Sequence, residues 1–437
     1  MGQSAIPFGP MNRDGSISPD VAHAATRPPA AANRALAGRR ITLCVTGSIA
    51  AYKACELTRL LIKQGASVRV IMTRSAQQFV GSATFAAITQ QPVLTEMFDE
   101  SGLGESHVTL SSQSDLVVIA PATADLLARL AQGRADDLVT ATALCASCPL
   151  LVAPAMHPSM WSHPATQRNV KLLHTDGRVI FVGPVEGEVA SGEVGLGRFA
   201  DPELIVHAVL AALSPQDFLG KHVVITAGPT VEDIDPVRFM SNRSSGKMGY
   251  AIAHDAALRG AQVTLISGPV DLPCPPEVTR VDVRSALEMQ TALRQCLGAK
   301  LDQADLLVMA AAVSDFRYSK VQTAKIKRQE TSAFPPLQEN PDILAEIGAQ
   351  RAGGSPLLIG FAVVTDAQQL VALARKKLMS KRVDAMVANL AADSLGLDDN
   401  QVTIVTAERD ERLPMLPKTE VAARMLDWAA TAMGAWR

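Results

Sequence analysis

The sequence predicts an α/β protein made of two Rossmann-like units, each an open, mostly parallel sheet covered by helices. Three observations carry that prediction. Short, continuously apolar runs recur along the chain and alternate with helical patterns. Strands apolar on both sides need helices on both faces, and a repeated βα order gives parallel pairing. At 437 residues the chain exceeds one typical domain, and a break at Leu213–Lys221 separates two such series.

Residues 1–38 hold Gly, Pro, Ser, Asn and Ala without periodicity and read as a disordered tail. The first unit, 39–212, opens with a strand at Ile41–Val45 and a helix from about Ile49 to Lys63. A strand at Val68–Met72 leads to a helix near Ala76, and one at Leu116–Ala120 to a helix from Ala124. Leu150–Ala153 runs into Pro154-Ala155-Met156, and a strand at Val179–Val182 follows. The second unit, 213–437, has strands at Val223–Thr226, Val263–Ser267, Leu306–Ala310, Leu357–Gly360 and Ala385–Val387. Val402–Val405 adds an edge strand. Sheets of this kind bind ligands at the carboxyl ends of their strands.

The formal net charge is -2 and no dense basic block occurs, which argues against nucleic acid or an anionic membrane as partner. The chain shows neither a bilayer-length apolar run nor an apolar signal core, so a cytoplasmic protein is expected. Six scattered cysteines suit reduced thiols. Cys145 and Cys148 have C-x-x-C spacing without a second pair and read as packing thiols.

The most informative stretch is Met240–Gly249. It follows the strand Val223–Thr226 and the turn Ala227-Gly228-Pro229-Thr230, and it opens a helix through Ala251, Ile252, Ala256 and Leu258. Helix-start N–H groups are unpaired and favour anions. Ser244 and Ser245 add hydroxyls, Lys247 a positive charge, and Gly246 and Gly249 room for close approach. From the residues alone this is a phosphate or nucleotide site of open class; the plain alternative is a capped helix after a loop. In the first unit, Gly47 and Ser48 follow the first strand, Thr73 and Ser75 the second, and Ala122 and Thr123 the third. Three small-residue turns at successive strand ends point to a mononucleotide cofactor.

Several linked motifs carry a family resemblance. Gly47-Ser48-Ile49-Ala50-Ala51-Tyr52-Lys53, Ala120-Pro121-Ala122-Thr123-Ala124-Asp125 and Pro154-Ala155-Met156-His157-Pro158-Ser159-Met160-Trp161 resemble the flavodoxin-like flavin-binding cysteine decarboxylases. Ile225–Thr230, Asp235–Arg238, Asn242, Ser244–Gly249, Ala311–Phe316, Lys325-Ile326-Lys327 and Asn340–Ile343 resemble the phosphopantothenate–cysteine ligases. Decarboxylase before ligase is the order of the bacterial bifunctional enzymes of coenzyme A synthesis, and the resemblance spans about residue 39 to the C-terminus.

For the first unit the resemblance implies FMN, cradled by Gly47, Ser48, Ile49, Thr73, Ser75, Ala122, Thr123 and Met156. The family oxidises the substrate thiol to a thioaldehyde, whose carbon–sulfur double bond accepts the electron pair released as carbon dioxide leaves, and then reduces the enethiol. The family's catalytic histidine falls on His107, a sensible base near neutral pH. His157 stands where the family often has an asparagine that holds the substrate carboxylate. Ser191 stands where many members have a proton-donating cysteine. A hydroxyl is a far weaker acid than a thiol of pKa about 8.5, so Ser191 needs help from water, His157 or Glu193.

For the second unit the resemblance implies CTP, a bound magnesium ion with ligands left open, an acyl-cytidylate, and attack by cysteine. Gly228, Ser245, Gly246 and Lys247 form the anion loop. Met309, Ala310, Ala311, Asp315, Lys325, Asn340, Pro341, Asp342, Ile343, Phe361, Lys377 and Lys381 border the nucleotide, and Asn242 orients the acyl-cytidylate. Val364 replaces a usual glutamate and Leu390 a usual aspartate. Family analogy also implies trimeric decarboxylase and dimeric ligase contacts, combining into a dodecamer. Two other readings stay open: a paralogue with the same chemistry on a related substrate, and a non-catalytic flavoprotein or regulatory subunit.

Overall fold

The computed structural model describes residues 35–98, 106–327, 335–394 and 396–434. In the first unit β1 (Arg40–Val45) leads to α1 (Ala51–Lys63), and β2 (Ser67–Met72) to α2 (Ser82–Thr89) and α3 (Ser106–Gln113). β3 (Leu116–Ala122) precedes α4 (Ala124–Ala131) and α5 (Leu138–Cys145). β4 (Leu150–Pro154) precedes the one-turn α6 (Pro158–Trp161) and α7 (Pro164–Thr175). β5 (Val179–Phe181), a hairpin of β6 (Val185–Glu188) and β7 (Val194–Arg198), and α8 (Pro202–Leu213) complete it.

The five strands β1–β5 form one parallel sheet in the order β2-β1-β3-β4-β5. Every residue of β3 is buried, because helices cover both faces. Strand order reverses at β1, which opens a crevice beyond the carboxyl ends of β1 and β3.

The second unit begins with β8 (His222–Ala227), the hairpin β9 (Val231–Asp233) and β10 (Phe239–Ser241), and α9 (Lys247–Leu258). β11 (Gln262–Ser267), β12 (Val278–Asp282), α10 (Ala286–Leu297) and β13 (Leu306–Met309) follow. β14 (Phe316–Tyr318) pairs with β15 (Leu337–Glu339) ahead of α11 (Ile343–Gln350) and β16 (Leu357–Val364). Then come α12 (Leu370–Lys381), β17 (Ala385–Leu390), β18 (Asp399–Asn400), β19 (Val402–Thr406), β20 (Asp410–Arg412), β21 (Leu416–Pro417) and α13 (Lys418–Ala432). The main sheet runs β12-β11-β8-β13-β16-β17-β19-β20, parallel up to β17 and antiparallel beyond it. Its switch point lies at β8, between β11 and β13.

Three expectations about elements change. Ala76–Gln78 is a single 3-10 turn, and the helix starts at Ser82 after an extended Gly81. β19 is flanked by β17 and β20, so the edge position belongs to β20. The disordered-tail expectation falls on residues 1–34 outside the described residues, but 35–38 form a turn: Leu36 is buried in the core and its N–H donates to the Gln64 carbonyl at 2.9 Å.

The linker is tied down by one guanidinium. Arg259 is 2% exposed, and its Nε donates to Asp217 at 2.8 Å and its Nη1 to Asp427 at 2.9 Å. α8 of the first unit meets α9 of the second, where the His207 and His254 rings lie 5.5 Å apart.

Candidate functional site

The first crevice is built from small and polar residues. Thr46 Oγ1 donates to the Pro121 carbonyl at 2.6 Å, drawing the loops after β1 and β3 together. A Cβ on Gly47 would sit 2.6 Å from Ser75 Cβ, so the first two loops close only because position 47 is glycine. Thr73 Oγ1 lies 3.2 Å from Ser75 Oγ, and Ser48 Oγ accepts from the Ala50 N–H at 3.3 Å. No side chain caps α1, a helix of 13 residues; its first turn is closed by the Ala51 N–H on the Ser48 carbonyl at 2.9 Å and the Lys53 N–H on the Ala50 carbonyl at 3.0 Å. Ile49 is exposed and Met156 half-buried at the same strand ends. Ala122 ends β3 beside Pro154, whereas Thr123 is spent on capping α4 through the Leu126 N–H at 3.3 Å. His107, on α3, holds a buried Nδ1 without a hydrogen-bond partner among the described residues. A cradle that a Cβ would fill, an uncapped helix start and an orphaned imidazole nitrogen fit a phosphate-bearing planar cofactor.

The β6–β7 hairpin folds onto the segment after β4. The Met156 N–H donates to the Gly197 carbonyl at 3.0 Å, and a Cβ on Gly197 would lie 2.4 Å from the Met156 oxygen. Ser191 is exposed in the turn, which the Gly192 N–H closes on the Val189 carbonyl at 2.8 Å. His157 stands at the same contact. Its Nδ1 accepts from the Ser159 N–H at 3.3 Å, and its Nε2 lies 2.9 Å from Glu193 Oε2. Both ring nitrogens are engaged, so neither is free to hold a substrate carboxylate in this arrangement.

The second site is a cavity of about 780 Å³ beyond β8, β13, β16 and β17. It opens at the start of α9, where Gly246 adopts φ +75° and no side chain caps the helix. Ser245, Gly246 and Lys247 line it, as do Met309, Ala310, Ala311 and Asp315 from the end of β13. Asn340, Pro341, Asp342 and Ile343 form a further wall, and Phe361, Lys377 and Lys381 another. Asn242 also borders it, with Nδ2 donating to the carbonyls of Ala312 at 3.1 Å and Val313 at 3.2 Å.

Two expected nucleotide residues lie off the wall. A Cβ on Gly228, at φ +76°, would meet Val270 Cγ1 at 2.9 Å, so this glycine serves the packing of the turn. Lys325 is exposed beside Ile326, whose N–H donates to buried Asp235 at 3.2 Å and whose carbonyl accepts from Arg238 at 2.8 Å.

The cavity's cations are partly engaged. Lys381 Nζ pairs with Asp342 at 2.8 Å and Lys247 Nζ with Asp398 at 2.6 Å, which holds the Asp398 carboxyl below the usual carboxylate range. Lys418, at the start of α13, was not foreseen as a site residue. It is buried and donates to the Ser394 carbonyl at 3.0 Å; burial, and then Lys247, push its pKa down. Asn389 and Asn400 are also buried on this wall, each with an Oδ1 that has no partner among the described residues. Only the Asn389-Leu390 departure hinted at them in the sequence. No group of three or more His, Cys, Asp or Glu able to hold a metal occurs among the described residues.

Two open sheets, parallel around their switch points, each followed there by a helix that no side chain caps, define a two-site α/β protein. A family model described as Flavoprotein matches residues 29–214, and one described as DNA/pantothenate metabolism flavoprotein C-terminal domain matches 218–433. The Coenzyme A biosynthesis bifunctional protein CoaBC of Bacillus subtilis is 42% identical over 402 residues, covering 90% of this chain and 96% of that protein. Its Mycobacterium bovis counterpart is 44% identical over 411 residues, with 90% and 96% covered. A crystal structure of the C-terminal domain of a CoaBC protein matches 50% of this chain and 98% of its own, at 38% identity and a TM-score of 0.43. The chain belongs to the family of bifunctional coenzyme A biosynthesis proteins.

Proposed function

We propose that the second unit joins 4'-phosphopantothenate to cysteine at the expense of CTP, and that the first decarboxylates the product to 4'-phosphopantetheine with FMN. The observation that supports this most is the cavity of the second unit. It sets an amide anchored at Asn242, the uncapped start of α9 and the Lys377/Lys381 wall around one space.

In the ligase unit the helix start and the lysines neutralise phosphate oxygens. A phosphate arriving beside Lys247 competes with Asp398 for its ammonium. The substrate carboxylate attacks the α-phosphorus of CTP and pyrophosphate leaves. The cysteine amine then attacks the acyl carbon, loses a proton, and CMP leaves. Asn242 orients the acyl group in both steps. Magnesium would come with the CTP substrate, held mainly by its phosphates, and would supply charge neutralisation there.

In the decarboxylase unit the loops at Gly47, Ser48, Thr73 and Ser75 would hold FMN, and the bound flavin supplies two-electron oxidation and reduction. His107 moves a proton at the substrate, and the β6–β7 hairpin excludes water. CTP and cysteine are cytoplasmic metabolites, which places this reading in the cytoplasm.

The test has one arm per unit. The purified protein should be yellow and release FMN on denaturation. With phosphopantothenate and cysteine, it should release pyrophosphate from CTP faster than from ATP. A colourless protein that fails to take up FMN would remove the decarboxylase reading, and equal use of ATP the CTP specificity.

A further inference from the structure

The β6–β7 hairpin is docked by three kinds of contact. Two are backbone features: the Met156–Gly197 hydrogen bond and the close approach of Gly195 and Gly197 to residues 156–158. The third is a side-chain pair, His157 with Glu193, at 2.9 Å.

The geometry fixes the tautomer of that pair. The Ser159 N–H can only donate, so Nδ1 of His157 must be its acceptor and carries no proton. Ser159 Oγ, 3.1 Å away, donates to the same nitrogen. The ring proton therefore sits on Nε2 and is given to Glu193. The pair needs no charged imidazole, and Ser159 holds the ring in orientation independently of the hairpin's own contacts. Arg198, the cation of β7, is directed to Asp201 at 3.1 Å rather than to Glu193.

We propose that Glu193 is a positioning residue of the decarboxylase site. It accepts the Nε2 proton of His157 and latches the hairpin, with Ser191 in its turn, over the segment after β4. The side chains are 35% and 49% exposed, so the bond is modest and the latch reversible. A flap that admits substrate and then covers it needs that reversibility. His157 thus serves the flap rather than the substrate carboxylate. The functional part of this assignment rests on the decarboxylase reading above; the latch itself does not.

The test is hydrogen exchange of the full chain, followed by mass spectrometry of peptides spanning residues 185–198. Glu193→Ala and His157→Ala should each speed exchange there by about threefold to tenfold, the worth of one modest hydrogen bond. The double variant should exchange no faster than either single one. Glu193→Gln keeps an acceptor and should restore most of the protection. In decarboxylation, Glu193→Ala should raise KM by a similar factor and leave carbon dioxide release at saturation within about twofold. Wild-type exchange in Glu193→Ala, or additive effects in the double variant, would overturn the latch. The expected exchange pattern in a protein that releases no carbon dioxide would support the latch and remove the decarboxylase reading instead.

Discussion

Asn242 uses both amide protons on the Ala312 and Val313 carbonyls, which fixes the plane of its side chain at the cavity wall. Asn242→Asp sets a carboxylate against two carbonyl oxygens. Amide formation in a single turnover should slow by about tenfold to a hundredfold, while equilibrium CTP binding changes less. Equal losses in both would place Asn242 in nucleotide binding alone. In the first unit, His107→Asn should abolish carbon dioxide release, measured with carboxyl-labelled substrate. Ser191→Ala should spare that release, because proton delivery from Ser191 follows the breaking of the carbon–carbon bond, and should let the enethiol accumulate. Full activity in His107→Asn would remove His107 as the group that moves the proton. The anion loop was readable because Ser244–Gly249 are contiguous and open a helix. Asn400 and Lys418 were not, since they reach the same cavity from β18 and α13 with no local pattern to mark them.

Helix α9 carries the molecule's opposing titrations. Burial pushes the Asp255 carboxyl up to about 6, against the pull of Arg259. The unfolded chain titrates near ~3.9, so the folded state holds the extra proton between those values and stability falls as pH rises through them. Asp255→Asn removes that loss. It should raise Tm relative to wild type near about pH 7.5, by up to about 2 kcal/mol in stability, and have little effect near about pH 4. A rise of equal size at both pH values would contradict this account of the carboxyl. His254, beside it, runs the other way: burial, then His207, push it down to about 4. Its contribution is present above its unfolded pKa and lost as pH falls toward 4, but it is common to both proteins in the comparison. The buried strands were legible as apolar runs such as Leu306–Met309. β6 and β7 were not, because Val185-Glu186-Gly187-Glu188 and Val194-Gly195-Leu196-Gly197-Arg198 trade apolar alternation for glycines that let the hairpin dock.

At the scale of the whole molecule, two sheets with separate cores carry one site each, joined through the Arg259 cluster and the α8–α9 contact. We propose, by family analogy, that trimeric decarboxylase and dimeric ligase contacts build a closed particle. Light scattering should then give a mass of several chains, up to a dodecamer, and a monomer at working concentration would contradict it. In the proposed function both sites act in sequence on one substrate. The most direct test is mass spectrometry of the products formed from phosphopantothenate, cysteine, CTP and magnesium by the FMN-loaded protein. The products expected are 4'-phosphopantetheine, carbon dioxide, CMP and pyrophosphate, with phosphopantothenoylcysteine as a transient. No new amide in the presence of CTP, or an amide that accumulates without losing carbon dioxide, would contradict it.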